Sequence, residues 1–92
     1  MGSVQVTVIG RDECHLCDDA TRVIEEVLAD FHDVTLEQRK VEENSEWLEF
    51  YTDKVPVILI DGVEHGYWRV NEKIFRGALV QAGALPREND SE

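Results

Sequence analysis

The chain has 92 residues, of which 42% are hydrophobic, and 20 acidic residues against 9 basic ones give a net charge of −11. This length supports one compact domain over residues 1–92, and the apolar content excludes a wholly disordered chain. The excess of acids argues against nucleic acid and anionic membranes as partners, since binding to phosphate groups depends on Lys and Arg. It favours a cationic partner, or serves only to keep the protein soluble.

No stretch of the sequence approaches the ~18 consecutive apolar residues of a membrane span. The first residues also lack the basic and then apolar pattern of a secretory signal. We therefore expect a cytoplasmic protein.

The first half of the chain predicts a strand, a helix and a second strand. Residues 4–9 are rich in Val and Ile and predict a buried strand that ends at Gly10. Apolar residues then recur at helical spacing from Ala20 to Phe31 and predict a helix over residues 17–30, with its first turn near Cys14. Alternation resumes over residues 34–41, which predicts the second strand.

The second half begins with a short helix that Asn44 or Ser45 can cap. Residues 55–60 form an apolar stretch with Pro56 at its start, and Asp61-Gly62 is typical of a hairpin turn leading into a strand over residues 63–68. Asn71 can cap a last helix, which Gly83 and Pro86 end. Its predicted apolar face comprises Ile74, Phe75, Ala78, Leu79 and Ala82.

These elements give the order β-α-β-α-β-β-α and predict an α/β fold, with a four-stranded mixed sheet flanked by three helices. Strands joined through helices are expected to pair in parallel, and the last two strands form an antiparallel hairpin. The polar residues from about 87 to 92 are expected to be a frayed tail.

The chain has two cysteines, Cys14 and Cys17, and they form a CxxC motif between the first strand and the first helix. A thiolate is the reactive form of cysteine, and the free N–H groups and positive dipole at a helix N-terminus favour it. We predict that Cys14 is the nucleophile and that Cys17, in the first turn, is the resolving thiol. His15 can tune the thiolate, whereas a lone His is more often only a surface residue.

Two other interpretations of the cysteines remain open. They can be buried structural residues, although a structural disulfide is disfavoured in the cytosol. They can also bind a metal, but structural zinc sites usually have four protein ligands, and no further pair of ligands follows from the sequence. We therefore predict no metal-binding residues in the chain.

From residue 5 to residue 85, the order of elements and motifs resembles glutaredoxins and their bacterial thioredoxin-fold relatives. The segment Cys14-His15-Leu16-Cys17-Asp18-Asp19-Ala20 looks like the motif of a glutaredoxin-like family that long had no assigned function. The resemblance implies a thioredoxin/glutaredoxin-like fold and a cis Val55-Pro56 bond facing the CxxC motif. It also implies that the backbone of Val55 pairs with an extended substrate segment beside Cys14.

By the same resemblance, the basic residue before the first cysteine is Arg11, and His15, Leu16 and Pro56 belong to the substrate-binding surface. The acidic residues Asp12, Glu13, Asp18 and Asp19 depart from the usual pattern, because like charges near a thiolate oppose the helix dipole. In the first helical turn, Asp18 and Asp19 also have a structural use as partners of that dipole.

The Gly-Gly glutathione motif of glutaredoxins is replaced here by residues 67–71, which contain Trp68 and Arg69. Arg69 can bind a carboxylate or only pair with surface acids, and Trp68 is expected in the core rather than at a binding surface.

The leading hypothesis is a monomeric dithiol–disulfide oxidoreductase without a bound cofactor. It acts on a disulfide-containing protein or a small thiol, and its reductant is glutathione or another low-molecular-weight thiol. The alternatives are a non-catalytic thioredoxin-fold module that binds a basic partner, and metal or cluster binding through the thiolates of a dimer.

Overall fold

The structure is a computed structural model that describes residues 3–87. Its strands are β1 (Val4–Gly10), β2 (Phe31–His32), β3 (Val34–Lys40), β4 (Val57–Ile60), β5 (Val63–Tyr67) and β6 (Leu85–Pro86). Its α-helices are α1 (His15–Leu28), α2 (Ser45–Tyr51) and α3 (Glu72–Gln81), and a short 3₁₀ turn covers Val41–Glu43. The predicted α/β fold with three helices is confirmed, and the short strands β2 and β6 are additions that the sequence did not predict.

The main sheet has four strands in the order β3-β1-β4-β5. Strands β1 and β3 are parallel, as expected for strands joined through α1, with Val4 opposite Val34 and Gly10 opposite Lys40. Strand β4 runs antiparallel to β1, so the expectation that all helix-linked strands pair in parallel was wrong for it. The link through α2 brings the chain back along β1 in the opposite direction, and the sheet is mixed.

The hairpin predicted at Asp61-Gly62 is confirmed. Both residues have positive φ angles, 52° and 83°, and Ile60 pairs directly with Val63 across this two-residue turn. Such left-handed pairs match the twist of the strands that they connect. The register of β4 against β5 shifts between Ile58 and Leu59, and this irregularity lies opposite His65.

Alternate residues of β1 face opposite sides of the sheet and enter two apolar clusters. The larger cluster lies under α1 and α3, and its fully buried members include Val6, Ile24 and Phe75. The smaller cluster lies under α2 and consists of Ile9, Cys17, Val41, Val55 and Val57. The buried CxxC residue Cys17 therefore belongs to the cluster on the α2 side.

Side chains cap two of the helices as expected. Asn71 accepts a hydrogen bond from the Ile74 amide at 3.0 Å, and Asn44 caps α2. The predicted apolar face of α3 was partly wrong, because Ile74 and Ala82 are exposed while Phe75 and Leu79 are fully buried. The buried face of α3 is therefore narrower than predicted.

The predicted frayed tail lies, beyond Arg87, outside the described residues. Arg87 itself is held by its backbone N–H on the Asp30 carbonyl at 2.8 Å and by its Nε on the Ala29 carbonyl at 2.9 Å. Within residues 3–87, no helix combines the length and the apolar character needed to cross a membrane.

Candidate active site

The CxxC motif begins where β1 ends and a tight turn redirects the chain into α1. Glu13 has a left-handed backbone, with φ of 58°, and Cys14 is extended, with φ of −115° and ψ of 106°. This geometry makes Cys14 the N-cap of α1, and the helix begins at His15, two residues before the predicted start. The first sulfur therefore lies at the amide end of the helix.

The two cysteines are joined as a disulfide, with their Cα atoms 5.2 Å apart. The Cys17 backbone N–H donates a hydrogen bond to Cys14 Sγ at 3.2 Å. Cys17 is buried, with 8% of its surface exposed, whereas Cys14 is only half-buried. A substrate arriving from solvent would consequently meet Cys14 first.

Two of the four acidic residues around the motif are paired with cations. Asp12 accepts a hydrogen bond from Lys40 Nζ at 2.5 Å, and this contact raises the pKa of Lys40. Asp19 lies 3.5 Å from the Arg22 guanidinium. Asp18 lies in the first turn of α1, where a carboxylate complements the helix dipole. The acidity around Cys14 is thus partly offset by neighbouring charges.

Gly10, which the sequence pattern predicts only as the end of a strand, is a site residue. A β-carbon at this position would lie 2.9 Å from Cys17 Sγ and 3.2 Å from Cys17 Cβ. Real Cβ contacts are almost never so short, so the absence of a side chain lets β1 pass directly behind the buried sulfur. The sequence signal for this close packing was the glycine four residues before the first cysteine.

The Val55-Pro56 peptide bond is cis, as the resemblance implied. Val55 and Pro56 are both buried, and Val55 shares the smaller apolar cluster with Cys17, against which Cys14 also packs. The Pro56 carbonyl accepts a hydrogen bond from the Trp68 amide at 2.9 Å. This bond ties the residues that follow β5 to the proline loop beside the disulfide.

A groove of about 190 Å³ runs from α1 to the segment after β5. Leu16 and Arg69 both line it, together with Asp19, Ala20, Val23, Trp68 and Val70. Trp68 was expected in the core, and that expectation was wrong, because 51% of its surface is exposed and its backbone is left-handed with φ of 70°. Its indole N–H donates to the Asp53 carbonyl at 3.0 Å, which holds the ring at the surface.

Arg11 lies in a different cavity from Arg69. A cavity of about 130 Å³ beside Cys17 is lined by Gly10, Arg11, Thr21 and Lys40, among others. His15 is exposed and lines neither cavity. The predicted substrate-binding residues therefore line two separate cavities or neither of them, and they do not form one pocket.

Within residues 3–87, no group of three or more His, Cys, Asp and Glu side chains is arranged to hold a metal ion. The cysteine pair alone would supply two ligands, and a structural zinc site has four.

Comparison with known proteins assigns the chain to a family. Residues 5–79 match the glutaredoxin-like domain (DUF836). The chain belongs to this family. No curated protein matches it.

Solved structures of the same fold include bacterial proteins and thioredoxins. The protein XcR50 of X. campestris is 25% identical, with a TM-score of 0.65 over 83% of this chain and 96% of its own. Protein Ne2328 of Nitrosomonas europaea is 22% identical, with a TM-score of 0.72 over 85% and 92% of the two chains. Chloroplastic thioredoxin z is 16% identical, with a TM-score of 0.67 over 88% and 79%. The glutaredoxin-like domain has the thioredoxin fold. This fold and family, together with the CxxC spacing of Cys14 and Cys17, support a redox-type role.

Proposed function

We propose that this glutaredoxin-like protein is a thiol–disulfide oxidoreductase, with Cys14 as the nucleophile and Cys17 as the resolving thiol. The observation that carries the proposal is the asymmetry of the pair. Cys14 is half-buried at the helix N-cap, and Cys17 is buried behind it with its amide directed at the Cys14 sulfur. Attack from solvent and internal resolution need these two different environments.

In the reductive direction, the Cys14 thiolate attacks one sulfur of a substrate disulfide. A bond forms between Cys14 and that sulfur, and the other substrate sulfur leaves as a thiolate. Cys17 then loses its proton to solvent and attacks Cys14 Sγ, which releases the second substrate thiolate and forms the Cys14–Cys17 disulfide. Two electrons pass from the protein to the substrate, and two equivalents of a low-molecular-weight thiol such as glutathione return them.

The first turn of α1 supports this chemistry through its backbone. The Cys17 N–H already donates to Cys14 Sγ at 3.2 Å, and the same donor would stabilise a thiolate there. The helix dipole adds a positive potential at that end. Together these groups favour the anion that must attack.

The surrounding residues supply recognition in this proposal. Leu16 and Arg69 line a groove that suits an apolar group beside a carboxylate, and Arg11 offers a second cation near Cys17. The exposed His15 flanks the disulfide, and the backbone at Val55-Pro56 aligns an extended segment. The substrates are disulfide-containing proteins or small thiols, and the protein works as a cytoplasmic monomer.

Reduction of hydroxyethyl disulfide and of a peptide disulfide, with glutathione as reductant, tests this function. Cys14→Ser should abolish turnover, and Cys17→Ser should accumulate a mixed disulfide of Cys14 that intact-mass measurement detects. Undiminished activity in both variants would refute the proposal. Absence of turnover in the unmodified protein would favour the non-catalytic module that binds a basic partner, for which the net charge of −11 argues. Elemental analysis of protein purified under reducing conditions tests the metal alternative.

A further inference from the structure

A third, larger cavity lies on the α2 side of the sheet, away from the groove that contains Leu16. It has a volume of about 330 Å³ and lies between α2 and the edge strand β5. Its lining consists of Glu46, Trp47, Phe50, Tyr51, Lys54 and Glu64. We call it the aromatic-acidic pocket.

Three aromatic side chains of α2 line this pocket: Trp47, Phe50 and Tyr51. Phe50 is the most exposed of them, with 62% of its surface open to solvent. Trp47 and Tyr51 pack against the smaller apolar cluster and are half-buried, so each has one side on the core and another toward the pocket. Aromatic faces attract ammonium and guanidinium groups because the ring quadrupole is negative above the plane.

Two carboxylates accompany the rings. Glu46 and Glu64 form no ion pair with any residue from 3 to 87. The single cation of the lining is Lys54, whose Nζ lies 5.2 Å from the centroid of the Tyr67 ring, outside the lining of the pocket. Burial and, after it, the Glu64 carboxylate raise the pKa of Tyr51, which places that carboxylate beside the phenol. The pocket thus combines π faces with two carboxylates that form no ion pair within residues 3–87, one of them beside the Tyr51 phenol.

The pocket adjoins the redox site through the core. Trp47 and Tyr51 contact the same five-residue cluster that contains Cys17 and Val55, and Cys14 packs against it as well. A substrate segment whose disulfide meets Cys14 would have to extend over α2 to reach the pocket.

We propose that the aromatic-acidic pocket binds an arginine or lysine side chain of a protein disulfide substrate. The inference rests on the proposed oxidoreductase function and specifies its substrate class as a basic protein segment. The charge of the whole chain, −11, complements such a partner and draws it toward the surface. The pocket then fixes one cationic side chain against Trp47, Phe50 and the two carboxylates.

The test compares peptide disulfides that carry an arginine at varied distances from the cysteine with the same peptides carrying citrulline, which has the shape without the charge. We expect KM for the best arginine peptide to be roughly fivefold lower than for its citrulline partner. The double variant Glu46→Gln with Glu64→Gln should lose this preference. Glu49→Gln removes one charge from the same helix outside the pocket and should keep it.

Equal KM values for both peptides in the unmodified protein would overturn the inference. So would a preference that survives the double variant or that Glu49→Gln reduces as much, since either points to the general negative field. Hydroxyethyl disulfide turnover separates this result from failure of the proposed function. If no disulfide is reduced, calorimetric titration of the oxidised protein with cysteine-free peptides decides, and the pocket stands only if arginine binds more tightly than citrulline.

Discussion

Gly10 lies so close to Cys17 that a β-carbon on the glycine would be 2.9 Å from the cysteine sulfur. The last residue of β1 thereby forms the wall behind the buried half of the disulfide. Strand β1 and helix α1 meet here without an intervening side chain, and the position of Cys17 depends on this close approach.

Gly10→Ala should therefore destabilise the oxidised protein by about 1–3 kcal/mol, the usual cost of overpacking a core. The added methyl group must displace the Cys17 side chain or the end of β1. Chemical denaturation measures the change in the free energy of unfolding. Gly77→Ala is the matched control, because a β-carbon there meets nothing within 4 Å, and in a helix it should stabilise the protein by up to about 1 kcal/mol. Equal effects of the two substitutions would contradict the packing argument.

Lys40→Gln should slow alkylation of reduced Cys14 at pH 7 by about twofold, because it leaves the Asp12 carboxylate unpaired two residues before the nucleophile. The measurement is the iodoacetamide rate at low salt, followed by mass spectrometry. Lys73→Gln, on the exposed face of α3, removes the same charge away from Asp12 and is the control. An unchanged rate in Lys40→Gln would show that Asp12 does not act on the thiolate.

Arg69→Gln should raise KM for a glutathione mixed disulfide by about threefold to tenfold, since the guanidinium lines the groove beside Leu16 and can bind a carboxylate. Hydroxyethyl disulfide has no carboxylate, and its KM should not change when dithiothreitol replaces glutathione as the reductant, so that no glutathione mixed disulfide forms. Arg69→Lys keeps the charge and should retain part of the affinity. A similar rise for both substrates would indicate a structural role for Arg69.

Stability should fall as the medium is acidified from about pH 7 to pH 5, in part because of His65. Burial lowers the pKa of His65 from 6.5, and its ring packs 5.7 Å from that of Phe75. The unfolded chain then takes up a proton at a higher pH than the folded protein, so acid favours unfolding.

Denaturation at several pH values, in the unmodified protein and in His65→Gln, measures this contribution as a reduced slope in the variant. His32→Gln removes an exposed imidazole and controls for that loss. An identical slope in His65→Gln and the unmodified protein would show that burial of His65 does not affect stability. The acids nearby, Asp61 and Glu64, line the same groove as His65 and remain in both variants.

The local patterns of the sequence predicted most of the fold. The hairpin turn at Asp61-Gly62 and the helix cap at Asn71 each depend on only a few neighbouring residues, and the structure confirms both. The cis Val55-Pro56 bond came from family resemblance, because nothing local distinguishes it from a trans bond.

What the sequence did not predict depends on long-range packing. The direction of β4 is set by the path of the chain after α2, and periodicity carries no information on direction. Trp68 is a large aromatic residue of the kind expected in a core, but its left-handed backbone and its hydrogen bond to the Asp53 carbonyl hold it at the surface. Arg11 precedes the motif directly and Arg69 lies far along the chain, and only the fold shows that the two line separate cavities.

The most direct test equilibrates the protein in glutathione buffers of graded redox poise, traps free thiols by alkylation and counts the labels by intact mass. We predict a reversible two-electron transition between unlabelled and doubly labelled protein within the ~−270 to −120 mV range of related dithiols. Under limiting reagent, the reduced protein should be labelled at Cys14 before Cys17. Protein that stays fully reduced or fully oxidised across that range, or that reacts first at Cys17, would contradict an outer nucleophile backed by a buried resolving thiol.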